Sequence, residues 1–228
     1  MASQTITKSA AELLGVPDVP KSGRGRLVAA AIELFYRHGF GAVGIDQIIA
    51  KAGVTKSTFY KHFESKDDLL KAIAESFFAE LAKSLDHSVK GITDPIERAR
   101  LMMRAYVTFG IENPRAYFLT FMTALPQLKR GEEMKRFRER LRRGETIPPE
   151  ELLQGMLCFA RLEGAVADLV KAGLTKTRDV AALSEVVWSA GHGLVSLVIT
   201  HDDFGFTPAP KLIELSIDTM LTGLIRRG

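Results

Sequence analysis

The chain has 228 residues, 46% of them hydrophobic and 25% charged, and a formal charge of +4, which is the balance of an ordinary globular protein and argues against general disorder and against a membrane protein. Its continuous apolar runs, such as Leu197-Val198-Ile199, are far shorter than the roughly 20 residues of a membrane span, and residues 1–20 carry neither the basic start nor the apolar stretch of a secretory signal. A cytoplasmic protein with no membrane partner is therefore expected, and its one cysteine, Cys158, excludes an internal disulfide and a cysteine-rich metal site.

Residues 1–22, with Gly15, Pro17, Pro20 and several hydroxyl side chains, read as a flexible arm. The basic residues that follow, Lys21 and Arg24 among them, either meet DNA phosphate or a minor groove, or stay solvated. The first strong helix collects Leu27, Ala30, Ala31, Leu34 and Phe35 on one face and ends at Gly39. In the second, Ile45, Ile48 and Ile49 face inward and leave Gln47 and Lys51 outside, with Asp46 suiting the positive end of the helix dipole. Helical periodicity stops at Ala52-Gly53-Val54 and restarts at once, the break a helix-turn-helix requires; Gly53 can adopt the left-handed conformation that ends a helix.

Thr55 is a good N-cap for the third helix, and Phe59 and Phe63, four apart, can anchor its inner face. Lys56, Ser57, Tyr60 and Lys61 then lie outside, with Thr55 and Thr58 near the start and His62 at the far end. These residue types donate to phosphate and base edges; the alternative is an amphipathic surface helix. Residues 24–62 carry six basic and two acidic side chains, a balance of +4, while the remaining 25 basic and 25 acidic residues cancel. All the excess positive charge, the kind of field that steers association with phosphate, lies in this one segment.

The run from Phe35 and Gly39-Phe40 through Ile45-Asp46-Gln47-Ile48 and Ala52-Gly53-Val54-Thr55-Lys56-Ser57-Thr58-Phe59-Tyr60-Lys61-His62-Phe63 to Ser65-Lys66-Asp67-Asp68-Leu69-Leu70 closely resembles the N-terminal domain of TetR-family transcriptional regulators. The resemblance covers about a fifth of the chain. It implies an all-α protein: a three-helix DNA-binding domain over 23–66, joined by a fourth helix to an effector-binding and dimerisation domain over 67–228. It places Thr55, Lys56, Thr58, Tyr60 and Lys61 at DNA-meeting positions of the recognition helix, Gln47 at an outward position of the preceding one, and Lys66 where it can approach phosphate. Two positions depart from the pattern. Val43 and Gly44 stand where hydroxyl residues are usual, removing a cap, and Ile49 stands where alanine is common and is expected to widen the helix crossing.

Ser65 caps the linking helix in the style of a capping box, with Asp68 at its third position and Leu69, Leu70, Ile73, Phe77 and Leu81 following at helical spacing. Thr93-Asp94-Pro95 opens another helix, and Asn113-Pro114 resets the chain before a stretch of large side chains that Pro126 closes. Met103, Tyr106, Tyr117, Phe118, Phe121 and Met122 are either core or lining of an effector cavity, as are Met156, Phe159, Trp188 and His192 further on. Residues 129–143, with eight basic and three acidic side chains, form either a solvated helix with glutamate–arginine pairs or a second nucleic-acid patch. Helices are expected from Pro148-Pro149 to about Lys171, over 178–200 and over 210–227, with Cys158 a small apolar filler. Trp188 and His192-Gly193 also resemble the Trp-His-Gly signature of one C-terminal subgroup of these regulators. His192 is a satisfied core group, a pocket hydrogen-bonder or a metal ligand, in that order, since no other histidine or cysteine stands at a ligand spacing, so no metal or cofactor is expected.

Leu183, Val187, Ala190, Leu194 and Leu197, with Leu212, Met220 and Leu224 of the last helix, suit a two-fold dimer built as a four-helix bundle. The expected function is a ligand-responsive homodimeric regulator, usually a repressor in this family, whose partners are a palindromic double-stranded operator and a small-molecule effector. An activator of the same fold, or a helical enzyme or carrier, is the rival. The rival enzyme lacks a Gly-x-Ser-x-Gly elbow, a Walker loop, a dinucleotide fingerprint and paired metal-binding histidines.

Overall fold

The computed structural model describes residues 22–123, 130–143, 145, 147 and 153–226. The expected arm with Lys21, and the loop positions Pro126, Pro148, Pro149 and Leu152, lie outside them. Among the described residues the chain is all-α, with one isolated backbone bridge, Thr175 to Ile225. It forms two compact units, the first comprising the described parts of 1–80 and 115–144, the second those of 81–114 and 145–228. The division falls inside the fourth helix, and the first unit takes in a segment from the middle of the chain that was expected to belong to the effector domain.

In the first unit, α1 (Gly23–His38), α2 (Ile45–Ala52) and α3 (Lys56–His62) follow the expected boundaries closely. Ser22 caps α1 and Gly39, at φ 77°, ends it. Leu27, Ala31, Ile32 and Phe35 of α1, Ile48 of α2, Phe59 and Phe63 form one buried cluster, continued by Leu69, Leu70 and Ile73 of α4 (Lys66–Ser88). The Ser65 hydroxyl accepts from the Asp68 N–H at 3.1 Å, and the Asp68 carboxylate accepts in return from the Glu64 N–H at 3.1 Å. This reciprocal closure lets α4 start abruptly after α3.

The same cluster contains Leu119, 1% exposed, with Phe118 packed against it. Both come from a short stretch in which α6 (Pro114–Tyr117) passes into a π-helical turn, Phe118–Met122. Phe118 meets Tyr36 of α1 edge-on, with ring centroids 5.6 Å apart, and the Arg115 guanidinium lies over the same Tyr36 ring, 5.7 Å from its centroid. Tyr117 and Phe121 instead join Phe77 and Phe78 of α4 in a nest of tilted and edge-on rings 4.8–6.1 Å apart. The π turn thus sends successive aromatics to two different neighbours, α1 and α4. Also in this unit is α7 (Arg130–Arg142), where Phe137 is buried and Arg136 pairs with Glu132 at 3.7 Å, as the solvated-helix reading expects.

The second unit packs α5 (Pro95–Glu112), α8 (Gln154–Lys171), α9 (Val180–Thr200) and α10 (Ala209–Leu224) around Met102, Met103, Val107, Val166, Leu169, Val187, Ile217 and Leu221. Asp94 caps α5, with Pro95 in the first turn, and Asp179 caps α9. Ion pairs tie the bundle together: Arg104 chelates Glu214 and Arg100 reaches Asp218, both linking α5 to α10. Arg161 of α8 donates to both carboxylate oxygens of Asp86, at 2.7 and 2.8 Å, and holds that carboxyl below its ordinary range. In α10 the inward face is Ile213, Ile217 and Leu221. At 21 residues α9 is, by length and composition, apolar enough to cross a bilayer, because it runs on through Gly191-His192-Gly193 as one helix. Its Leu183, Val187 and Val195 are buried within the bundle, while Val186 and Leu197 on the same helix are exposed.

Leu119 provides a direct test of this division. Truncating a buried leucine costs about 2–5 kcal/mol through lost transfer energy and the cavity left behind. Leu119→Ala should lower stability by that amount in urea unfolding; a change below about 0.5 kcal/mol would show that Leu119 is not core to the first unit.

Candidate nucleic-acid interface

A helix of seven residues is far too short to persist alone in water, so α3 exists only because its neighbours hold it. Phe59 is fully buried and Phe63 nearly so, their rings 6.0 Å apart. The Thr55 hydroxyl accepts from the Thr58 N–H at 3.2 Å and contacts the hydroxyls of Ser57 and Thr58 at 2.8 and 2.9 Å. Gly53, at φ 61° and ψ 42°, is left-handed as expected and turns the chain between α2 and α3. With its inner face committed, α3 turns Lys56, Ser57, Tyr60 and Lys61 to solvent; Tyr60 is 52% exposed, its ring edge-on to Phe59.

Other members of the expected DNA-facing set sit differently. Thr58 and His62 are half-buried on the side of α3 that faces the start of α1, where a Cβ on Gly23 would come within 2.7 Å of the Thr58 methyl. Arg24 lays its guanidinium over the Phe63 ring at 5.3 Å while remaining exposed. Gln47 is exposed on α2, and its side-chain oxygen accepts from the Gly44 N–H at 2.7 Å, the half of a capping box that needs no side chain on Gly44. Lys56 stays exposed 3.9 Å from the Asp46 carboxylate. Lys66, expected to reach phosphate, has its ammonium on the carbonyl oxygens of Phe40 and Val43.

Three side chains hold this surface, two of them not singled out from the sequence and the third in a role other than the expected one. Arg26 donates to the Gly53 carbonyl at 3.3 Å, tying α1 to the turn. Glu33 bridges Lys51, at 2.9 Å, and Arg37, at 3.2 Å, and the Lys51 ammonium holds its carboxyl below the usual range. The third is Lys66 in its observed role. The only sequence signal for any of them is opposite charge at i and i+4 in Glu33 and Arg37; the others join residues 23 to 27 positions apart, beyond the reach of local pattern.

The residues expected to line an effector cavity divide between the two units. Tyr117, Phe118, Phe121 and Met122 belong to the first; Tyr117 is buried in the aromatic nest, and Phe118 packs edge-on against Tyr36 of α1. In the second, Met103 and Met156 are core, and Met103 borders an apolar void of about 20 Å³ with Ala99, Met102, Val166 and Val187. That space holds roughly one water molecule and no larger ligand. Tyr106 packs on Gly191, where a Cβ would stand 3.4 Å from its ring. Beside it on α9, Trp188 meets Phe159 edge-on at 5.9 Å and His192 at 5.7 Å. Burial disfavours the charged form of His192 and lowers its pKa from the ordinary 6.5. No group of three or more metal-ligating side chains occurs among the described residues.

In the unfolded chain His192 takes up a proton near pH 6.5, whereas in the fold it resists protonation to lower pH. Unfolding therefore gains a proton, and stability falls, as pH drops below 6.5 toward the folded pKa. Thermal unfolding between pH 7.5 and 5 should show a shallower acid-side loss for His192→Gln than for the wild type; parallel curves would show that His192 is not desolvated.

The model for bacterial regulatory proteins of the tetR family matches residues 27–73, and that for the tetracyclin repressor-like C-terminal domain matches residues 99–224. The HTH-type transcriptional activator FasR of Mycolicibacterium smegmatis is 34% identical over 98 residues, which are 43% of this chain and 45% of FasR. The HTH-type transcriptional repressor DhaR of Mycobacterium sp. is 29% identical over 72 residues, 32% of this chain and 36% of DhaR. The chain thus spans less than half the length of these curated relatives. Among solved structures, the fatty acid degradation regulator FadR of Bacillus halodurans, 15% identical, superposes with a TM-score of 0.70 over 92% of this chain and all of that one, a likeness of fold.

Proposed function

Because the chain belongs to the tetR family of bacterial regulatory proteins, we propose that it acts in the cytoplasm as a homodimeric, ligand-released repressor reading a palindromic operator with α3 of each protomer. The observation that carries this reading is the two-sided character of α3: Phe59 and Phe63 are locked in the core while Lys56, Ser57, Tyr60 and Lys61 stand free of it. In a two-fold dimer these surfaces enter major grooves about one helical turn, roughly 34–36 Å, apart. The lysines supply affinity, and Tyr60 with the hydroxyls sets register on the backbone. Gln47 and Arg24 flank this surface on the same unit.

The dimer uses the outer faces of α9 and α10. Leu183 and Val187, expected there, fill the core of their own unit; the large aliphatic side chains left exposed are Val186, Leu197 and Leu215, with Ala190, Leu194, Leu212, Met220 and Leu224 half-buried beside them. Exposed aliphatic side chains on two neighbouring helices suit a self-complementary interface. The effector is a largely apolar small molecule received by the aromatic side chains of Tyr106, Phe159, Trp188 and His192. It releases DNA by binding the non-reading arrangement of the dimer more tightly than the reading one; equal affinity for both would shift nothing.

FasR is named an activator and DhaR a repressor, so the sign of regulation is not common to the relatives. Repression needs only that a bound dimer occlude the promoter, whereas activation needs a further surface for the transcription machinery, and the surfaces above require only the former. The protein is a regulator and not an enzyme.

The test uses a duplex that the wild-type protein selects from a random library. In fluorescence anisotropy at fixed salt, Tyr60→Phe and Lys61→Ala should each weaken binding by about 1–3 kcal/mol, with the sedimentation profile of the dimer unchanged. Full affinity in both variants would overturn the assignment of α3.

A further inference from the structure

Lys66 occupies the first position of α4, where the helix dipole opposes a cation. Its ammonium is held there by partners outside α4. Nζ donates to the carbonyl of Phe40 at 2.7 Å and to that of Val43 at 2.8 Å, and stands 4.3 Å from the centroid of the Phe40 ring. An ammonium has three protons, and two carbonyls and a ring face account for them. Phe40 in turn leans on the buried Phe35 of α1, with ring centroids 5.1 Å apart.

These carbonyls belong to the turn that launches α2. Val43 directly precedes Gly44, the N-cap of α2, which has no side chain with which to close the helix start. Gln47 satisfies the Gly44 N–H, and Lys66 satisfies the Val43 carbonyl one peptide earlier. One ammonium therefore joins the first turn of α4 to the start of α2, and α2 runs through Gly53 directly into α3. Moving Nζ to a phosphate would strand two carbonyls in a half-buried site, at a cost comparable to what the phosphate returns.

We propose that Lys66 is a positioning residue for DNA recognition: it sets where α2 begins relative to α4, and so how α3 is presented, without itself contacting phosphate. The inference rests on the reading of α3 as the recognition helix. Its signature is a loss of sequence discrimination with no change in the number of phosphates engaged, because non-specific affinity depends on charge alone while specific affinity depends on the pose of α3.

The experiment compares full-length wild type, K66M, K66R and K56A on the duplex selected by the wild type and on a scrambled duplex, with Kd measured across a KCl series. K66M keeps the stem and removes the donors. It is expected to lose on the order of tenfold affinity for the selected duplex, with unchanged affinity for the scrambled one and an unchanged slope of log K against log salt. A slope shallower by about 0.9, with both duplexes weakened together, is the signature of a lost phosphate contact and would overturn the proposal; K56A supplies the comparison for that signature. K66R keeps the charge, but its planar fork cannot serve two carbonyls and a ring face at once, so it too should lose discrimination, and it decides the matter if K66M fails to fold. K66R indistinguishable from wild type would refute positioning by Lys66 while leaving α3 as the reader. A wild-type protein that selects no sequence would overturn the DNA reading and this inference together.

Discussion

Everything the first unit presents to its surroundings depends on the burial of one ring. Phe59 sits at the middle of a helix of seven residues and has no exposed surface. A helix of that length is unstable in isolation, so its orientation is dictated by where that ring can go. Given Phe59 inside, the helical period leaves no choice about which side chains face water. The chemistry of the outer face and the packing of the inner face are thus one constraint seen from two sides, with the Thr55 cap and the left-handed Gly53 keeping the short helix from fraying at its entry.

The second unit holds itself together differently. Beyond its apolar core, α5 is fastened to α10 through Arg104–Glu214 and Arg100–Asp218, and α8 to the end of α4 through Arg161–Asp86. Several of these groups are partly exposed, so each pair contributes modestly to stability and weakens with salt. Their value is geometric: a guanidinium that grips both oxygens of a carboxylate fixes register along two helices, which apolar packing alone specifies less strictly. Tyr106 of α5 lies beside Gly191 of α9, where an added Cβ would stand in van der Waals contact with its ring.

Much of this was legible in the sequence because it is local. Helical period gave the faces of α1, α2 and α4; Thr55, Ser65 and Asp94 announced helix starts; Gly39 and Gly53 announced stops. The contacts that local pattern does not encode join distant positions: Lys66 to Phe40 and Val43, Arg26 to Gly53, Leu119 to the core beneath α3. Period also misleads where a helix is apolar on more than one side. On α9 it assigned Leu183 and Val187 to a partner's surface although the bundle itself claims them, leaving Val186 and Leu197 outside. Gln47 illustrates a further limit: it is exposed as its period predicts, but its bond back to the Gly44 N–H was not read from the sequence.

The presence of Leu119 beneath the reader bears on how such proteins can be recombined. A fragment ending anywhere in α4 would keep all three reading helices yet leave an unfilled apolar hollow against α1, where Leu119 and Phe118 now sit. A chimera that grafts these helices onto another domain must therefore carry residues 115–122 with them, or supply side chains of equal volume at the same place. The first unit is discontinuous in sequence, and what must be moved intact from this chain is a pair of segments rather than an N-terminal cassette.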